Sequence, residues 1–198
     1  MDGWIDCGTY LLNTYKQGEE GWLEARKKCV ITASKFYDAY RYIKLNGPVI
    51  NNGFITPNEA MIFGTKMEPV IRDWFSHTYK LKIKEVGLAI PKWCPQIGSS
   101  VDGLIMNGDV VEGMIEIKTT KSHSSKLLNK VGEQRDYISP WHYAQMQGCM
   151  AIMDLSYCYY VSYSREQKNI HVVKIYRDKS YWDNDLYPSL LKYIDSVS

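Results

Sequence analysis

Apolar and polar residues alternate along several stretches of the chain, and such alternation predicts β-strands. The most informative stretch is "DVVEGMIEIKT", residues 109–119. Ile115 and Ile117 would point into a core, while Glu116 and Lys118 would project together from the opposite face, because successive strand side chains alternate sides. The other predicted strands are "LKIKEVGLAI", "QIGSSVDGLIM", "SYCYYVSYS" and "NIHVVKIYR".

Longer segments carry apolar residues at helical spacing. Helices are predicted at about 19–29, from after Ser34 to about Leu45, 56–79, 140–154 and 181–194. The segment "TPNE", residues 56–59, predicts a capping box with Pro57 in the first helical position. Pro69 and Pro188 should kink or interrupt their helices. The order of helices and strands predicts a mixed α/β domain with one central sheet flanked by helices, and residues 1–198 are predicted to be a single domain.

Composition narrows the classes of partner and compartment. The net charge of the 198-residue chain is only +2, so binding to nucleic acid would have to come from local clusters of basic residues. The five cysteines are scattered without C-x-x-C spacing, which argues against a zinc ribbon, an iron–sulfur cluster or a disulfide framework and favours an intracellular compartment. The N-terminus does not resemble a signal peptide, and no apolar run approaches the roughly 20 residues of a membrane span, so no membrane partner is expected.

The hairpin predicted by Asn107-Gly108 raises a geometric problem. A tight turn there, followed by regular pairing, would place Asp102 on the opposite side of the sheet from Glu116 and Lys118. A one-residue bulge reverses the face of the strand that follows it, and Gly113 is a natural position for one. We therefore predict a bulge or an irregular turn between residues 107 and 113.

Two acids and a lysine at one sheet edge would suit a hard divalent cation. Mg²⁺ prefers carboxylate and carbonyl oxygens, which Asp102, Glu116 and the main-chain carbonyl of Ile117 could supply. Lys118 could orient a metal-bound water or neutralise charge on a phosphate. The alternative is that Glu116 and Lys118 form an ordinary solvated strand face.

The spacing Asp102…Glu116-Ile117-Lys118 resembles the signature of PD-(D/E)XK nucleases, whose core of a helix, three strands, a helix and a strand matches the predicted order. Four segments resemble one branch, the lambda exonuclease family of viral recombination nucleases. They are "GEEGWLEARKKCVITAS" (18–34), "FGTKMEPVIRDWF" (63–75), "SSVDGL" (99–104) and "HYAQMQ" (142–147).

The first of these segments implies a site for the 5′-phosphate of a DNA end. The resemblance assigns that role to Arg26 and Ser34. This chain has one extra residue between Trp22 and Ser34, so Lys27 is an alternative to Arg26. A cation and a hydroxyl beside a helix start form an anion site in either case.

The remaining segments imply the catalytic residues. The resemblance gives Glu68 a position near the metal site, and it gives Gln145 the role of orienting the water or contacting the scissile phosphate. Gln147 cannot share a helical face with Gln145, so it is predicted to be structural. The four histidines are dispersed and are not expected to be catalytic; they are His77, His123, His142 and His171.

The resemblance implies a Mg²⁺-dependent 5′→3′ exonuclease that digests one strand of duplex DNA from its ends during viral DNA recombination or processing. One or two Mg²⁺ ions are expected, with Mn²⁺ as a substitute. The implied partners are double-stranded DNA ends, a single-strand annealing protein and, as one assembly, a homotrimer, in the host cytoplasm or nucleus. The alternatives are an endonuclease or RNase on the same core, or a non-catalytic protein that binds DNA ends.

Overall fold

The computed structural model describes residues 3–48, 50 and 56–197. Within them the strands are Trp4–Asp6 (β1), Tyr10–Asn13 (β2), Ile31–Thr32 (β3), Lys82–Lys84 (β4), Leu88–Pro91 (β5), Ile97–Ser100 (β6), Gly103–Asn107 (β7), Val110–Thr120 (β8), Tyr157–Ser164 (β9) and Asn169–Tyr176 (β10). The helices are Glu20–Lys27 (α1), Phe36–Lys44 (α2), Glu59–Tyr79 (α3), Ser125–Asn129 (α4), Gln134–Tyr137 (α5), Pro140–Ile152 (α6), Lys179–Tyr181 (α7) and Tyr187–Val197 (α8). A 3₁₀ turn, Ala33–Lys35, precedes α2, and a π-helical turn, Trp182–Leu186, links α7 to α8. None of these helices is both long and apolar enough to pass through a bilayer.

The strands form two five-stranded mixed sheets with helices around them, which confirms the predicted mixed α/β class but replaces the single predicted sheet with two. One sheet has the order β10-β9-β8-β7-β4, and β8 lies at its centre, parallel to β9 and antiparallel to β7. A second sheet accompanies it, in the order β1-β2-β5-β6-β3. Two of the predicted strands are therefore divided between the sheets, the first into β4 and β5 and the second into β6 and β7.

The two faces of β8 pack against different helices. Ile115 and Ile117 join Ile71 and Phe75 of α3 in a small apolar cluster. The opposite face, which includes Met114, joins the main core together with α6. Because both faces of β8 are covered, Glu116 is buried and Lys118 is half-buried, so they are not an ordinary solvated strand face.

Helix α3 begins later than its sequence pattern predicts. The side chain of Asn58 accepts a hydrogen bond from the backbone N–H of Met61 at 2.9 Å, so Asn58 is the N-cap and Pro57 precedes the helix. Asparagine is among the strongest N-capping residues, and here it replaces the predicted capping box. The helix continues through Pro69 to Tyr79 without the predicted restart.

The C-terminal helical segment also differs from its prediction. It runs without interruption from Lys179 to Val197, so the break expected at Pro188 is absent. The irregularity lies one turn earlier, in the π-helical turn that ends at Leu186. A proline lacks the N–H of a regular helix and crowds the preceding turn, and a widened turn relieves that crowding.

The β7–β8 hairpin turns on Gly108 and Asp109, one residue later than predicted, because Asn107 pairs with Val110. Gly108 has φ +59°, which suits glycine at the first central position of a two-residue hairpin turn.

A bulge follows this turn and confirms the prediction. Met106 pairs with Val111, but the next residue back, Ile105, pairs with Gly113. Glu112 is therefore the extra residue in β8. Beyond it, the side chains of β8 lie on the faces opposite to those that unbroken pairing with β7 would give them.

Candidate active site

The register beyond the bulge places the three predicted site residues on one face of the sheet. Extended by one residue from the start of β7, it sets Asp102 opposite Glu116. Asp102 Oδ2 accepts a hydrogen bond from the backbone N–H of Ile117 at 2.6 Å, and Lys118 Nζ lies 2.6 Å from Glu116 Oε1. Two acids and a lysine are thus gathered beside one stretch of β8.

Glu116 is buried in an acidic setting. Its side chain is only 1% exposed. Burial raises the pKa of Glu116 to about 7 against the opposing charge of Lys118, and the charges of Asp102 and Glu68 add to the rise. Burial likewise raises the pKa of Asp102. Glu116 Oε2 is buried without a hydrogen-bond partner among the described residues, which is unusual for a carboxylate oxygen.

These residues fit a hard cation. Three groups could supply oxygen ligands to it: the unpartnered Glu116 Oε2, the Asp102 carboxylate and the Ile117 carbonyl. A cation bound among them would offset the cost of burying two acids. In the described ranges, no three Asp, Glu, His or Cys side chains are grouped tightly enough to enclose a metal ion. The set therefore suits an ion that keeps waters and accepts substrate oxygens as further ligands, as Mg²⁺ does.

Glu68 lies close to this centre but is held by an arginine. Arg72 Nη2 contacts Glu68 Oε1 at 2.5 Å, one turn along α3, and Arg72 Nη1 lies 2.8 Å from Glu85 Oε1. Burial raises the pKa of Glu68 and the charge of Asp102 adds to the rise, while Arg72 opposes it. Glu68 therefore sits beside the acidic pair without joining it as a third ligand.

A groove opens beside Glu68 between α3 and the end of β8. We call it the α3–β8 groove, and its volume is about 400 Å³. It is lined by Asn58, Ala60, Met61, Gly64, Glu68, Ile117, Lys118 and Thr119. The groove gives a ligand direct access to the residues around Lys118.

The two glutamines of α6 have different surroundings. Gln147 is fully buried; its amide donates to the Tyr176 carbonyl at 2.9 Å and accepts from the Asp178 N–H at 2.7 Å. This fastens α6 to the end of β10, as the structural role predicted for Gln147 requires. Gln145 is half-buried, and its side chain makes no hydrogen bond within the described part of the chain.

Sequence reasoning missed a histidine–tyrosine pair next to the site. His142 Nδ1 lies 2.9 Å from the hydroxyl of Tyr160, and Tyr160 is the parallel-strand neighbour of Glu116. Burial, with the nearby charge of Lys118, lowers the pKa of His142 to about 4. His142 and Gln145 are three residues apart, so they share a helical face, and this spacing was the signal available in the sequence.

We expect His142 to make the protein sensitive to acid. Its pKa of about 4 lies below the ordinary 6.5, so the unfolded chain binds a proton more readily between these values. Stability should therefore fall as pH decreases through this window, by on the order of 2 kcal/mol at pH 5. Denaturant unfolding of wild type and His142→Gln at pH 7 and pH 5 measures the difference. The exposed His77→Gln is the matched control, and equal acid sensitivity in all three proteins would contradict the expectation.

Arg26 and Lys27 occupy different environments. Arg26 is half-buried with its guanidinium 5.2 Å from the centre of the Trp22 ring, and burial lowers its pKa. Lys27 is exposed and paired with Glu24 at 2.5 Å. Trp22 in turn donates its indole N–H to Ser100 Oγ at 3.0 Å, two residues before Asp102. Arg26, and not Lys27, is therefore the cation that is connected to the site, through Trp22 and Ser100.

Ser34 approaches the same place from another strand. It is exposed in the 3₁₀ turn that follows β3, and β3 runs parallel to β6, with Thr32 beside Gly98. Since parallel strands end at the same sheet edge, Ser34 lies at the edge where Ser100 and then Asp102 follow β6.

Comparisons with known proteins identify the family and the fold of the chain. Residues 21–156 match the YqaJ-like viral recombinase domain. The structure is similar to the alkaline exonuclease LHK-Exo from Laribacter hongkongensis, with 24% identity, a TM-score of 0.64 and coverage of 90% of this chain and 94% of that chain. LHK-Exo in complex with dAMP matches with 23% identity, the same TM-score and the same coverage. A phage related exonuclease from Haemophilus somnus 129PT matches with 16% identity, a TM-score of 0.53 and coverage of 83% and 81%.

No curated protein matches the chain. The structural likenesses show the fold, and the family match extends over more than half of the chain. Together they confirm the resemblance to recombination nucleases that the sequence motifs predict. The chain belongs to the YqaJ-like viral recombinase domain family.

Proposed function

We propose that this protein is a Mg²⁺-dependent deoxyribonuclease that digests one strand of duplex DNA in the 5′→3′ direction from an end. The observation that carries the proposal is the pairing of Asp102 with Glu116 on one sheet face, beside Lys118, with Glu116 Oε2 lacking a hydrogen-bond partner in the described ranges. The family and the exonuclease fold of its structural relatives support a nuclease.

Asp102, Glu116 and the Ile117 carbonyl would hold one or two Mg²⁺ ions. When bound, such an ion supplies positive charge to the scissile phosphate and lowers the pKa of a coordinated water. Lys118 acts as a cation in this site and not as a base: burial opposes its charge, but Glu116 and Asp102 raise its pKa above the ordinary value. It therefore stabilises negative charge on the phosphate, while Gln145, whose amide has no partner among the described residues, orients the attacking water.

Arg26 and Ser34 support an exonuclease over an endonuclease. Arg26 contacts Trp22, which is hydrogen-bonded to Ser100, and Ser34 follows β3, the parallel neighbour of the strand that ends at Ser100. A cation and a hydroxyl in this position would bind the phosphate of a 5′ end and set its distance from the cleavage site.

Basic residues at the end of β8 and beyond it would follow the DNA backbone without reading sequence. They are Lys118, Lys121, Lys126, Lys130 and Arg135. Lys121 and Arg135 have partners at the protein surface, Glu166 at 3.6 Å and Glu133 at 3.3 Å, which a phosphate would have to displace. We further propose a role in viral DNA recombination, with a single-strand annealing protein as partner and a homotrimer as one assembly to test.

The function is tested with linear duplex DNA that carries either a 5′-phosphate or a 5′-hydroxyl. We expect the 5′-phosphorylated strand to be degraded in Mg²⁺ and both strands to survive in chelator. Lys118→Ala should be nearly inactive, because its cation faces the reacting phosphate. Cleavage of closed-circular DNA at the rate of linear DNA would favour an endonuclease, and binding of ends without digestion would favour a non-catalytic protein.

The same assay separates the two candidate phosphate ligands. Arg26→Ala should reduce the preference for a 5′-phosphate, measured as the ratio of the rates for the two substrates. Lys27→Ala is the matched control on the next position of α1, and its ratio should stay near that of wild type. The opposite pattern would assign the phosphate to Lys27.

A further inference from the structure

An exposed tryptophan and three half-buried residues lie where α2 meets the first turn of α6. We call them the Trp141 cluster, which consists of Tyr37, Tyr40, Arg41 and Trp141. Trp141 is 41% exposed although it lies only four residues before Gln145. We propose that the Trp141 indole is the surface on which the 5′-terminal nucleobase of the DNA strand stacks; this inference rests on the proposed function.

The indole is held in a fixed orientation. Its N–H donates to Asp38 Oδ1 at 2.9 Å. The ring of Tyr37 meets it edge-on with centroids 4.8 Å apart, and the Arg41 guanidinium lies 5.3 Å from its centre. A large aromatic side chain that is already immobilised loses little conformational freedom when a ligand stacks on it, so binding costs less entropy.

The position of the cluster matches the path of a terminal nucleotide. Trp141 and Gln145 are separated by four residues and share a face of α6, while Ser34, Asp38 and Arg41 follow one another at helical spacing on the neighbouring element. The Asp38–Trp141 hydrogen bond joins these two faces. The indole therefore lies about one helical turn from Ser34, proposed to bind the 5′-phosphate, and about one helical turn from Gln145, proposed to act at the scissile phosphate. The base of the nucleotide that spans these two phosphates is within reach of the ring from there.

The chemistry of the cluster fits a nucleobase of any sequence. Every base has a flat π-face, so stacking on tryptophan tolerates all four. Arg41 makes no ion pair with the described residues, and its cation beside the ring can also contact the strand backbone. A processive exonuclease needs contacts of this kind because it meets each base in turn.

A double-mutant cycle tests the inference. The substrate is a DNA hairpin with one open, 5′-phosphorylated end, and its 5′-terminal nucleotide either carries a base or is abasic. Affinity is measured by fluorescence anisotropy in chelator, so that no digestion occurs. Loss of the terminal base should weaken binding to wild type by about 5- to 150-fold. Trp141→Leu should bind the intact end about as weakly as wild type binds the abasic end, and it should not distinguish the two ends.

Two further variants complete the design. Trp141→Phe keeps an aromatic face and should retain most of the discrimination. Trp93→Leu is the matched control, because Trp93 is 45% exposed but rests on Tyr187 and Trp182 on another part of the surface, and it should behave as wild type. If Trp141→Leu discriminates as wild type does, while 5′-phosphate-dependent digestion persists, the stacking role is overturned and the nuclease stands. If wild type fails to bind the intact end, both proposals fail.

Discussion

Glu116→Gln is expected to abolish DNA hydrolysis while the protein stays folded. The substitution keeps the shape of the side chain but removes the charge that would hold a cation opposite Asp102. Glu116 is almost fully buried, and no neighbouring carboxylate can take its place because Glu68 is engaged by Arg72. We expect the rate of strand loss in saturating Mg²⁺ to fall by roughly 10³-fold or more, since electrostatic stabilisation of the reacting phosphate is lost.

The matched control is Glu112→Gln in the same strand. Glu112 is exposed and accepts a hydrogen bond from the Asn107 side chain at 2.6 Å, away from the site. It should retain near-wild-type activity. A second readout is thermal unfolding, because Mg²⁺ that binds only the folded state should raise the Tm of wild type but not that of Glu116→Gln. Substantial residual activity in Glu116→Gln would rule out the assigned metal ligand.

Insertion of one alanine between Gly113 and Met114 should be as damaging, although it replaces no side chain of the site. If the pairing of Ile105 with Gly113 is kept, every later residue of β8 shifts by one position, so Glu116 and Lys118 turn toward α3 and Ile115 and Ile117 come to the site face. Two charged groups would then enter the apolar cluster around Ile71 and Phe75, which costs several kcal/mol by order-of-magnitude reasoning. We expect loss of activity and a large decrease in the free energy of unfolding.

Deletion of Glu112 is the matched control, because it changes the residue count of β8 without changing the face of Glu116. Val111 and Gly113 become consecutive and still pair with Met106 and Ile105, so Asp102 stays opposite Glu116 and activity should be retained. Denaturant unfolding and the strand-loss assay, run on both variants, measure the comparison. If the insertion variant is active, the hairpin has absorbed the added residue in its turn and the register of β8 is not what places the site.

The predictable parts of the fold are those governed by local pattern. Alternation located β8, β9 and β10 well, and the proline before an apolar helical run located the start of α6. The bulge was predictable because only one parity of the hairpin places Asp102 and Glu116 on one face. By contrast, β3 is two residues long and pairs with β6, far away in sequence, so no local pattern marks it. A single run of strand-like residues also conceals a change of sheet at Val101–Asp102, because alternation does not specify the pairing partner.

The candidate site also has some contacts that the sequence pattern predicts and others that it does not. Asp102, Glu116 and Lys118 follow from strand periodicity and spacing. The Glu68–Arg72 pair follows from i,i+4 spacing and should be counted among the predictable features, although the sequence interpretation did not include it. The His142–Tyr160 pair joins a helix to a strand across a layer of the structure, and only the three-dimensional packing determines such a contact.

The short connection between the two sheets has a mechanical consequence. Ser100, which anchors Trp22 and so Arg26, is only two residues from Asp102, a span of about 7 Å at full extension. Under the proposed function, this short backbone segment would fix the distance between the site that binds the 5′ end of the strand and the site of cleavage. That distance is comparable to the length of one nucleotide unit. This fixed distance would set the length of the product, so mononucleotides should be released, with no ladder of short oligomers.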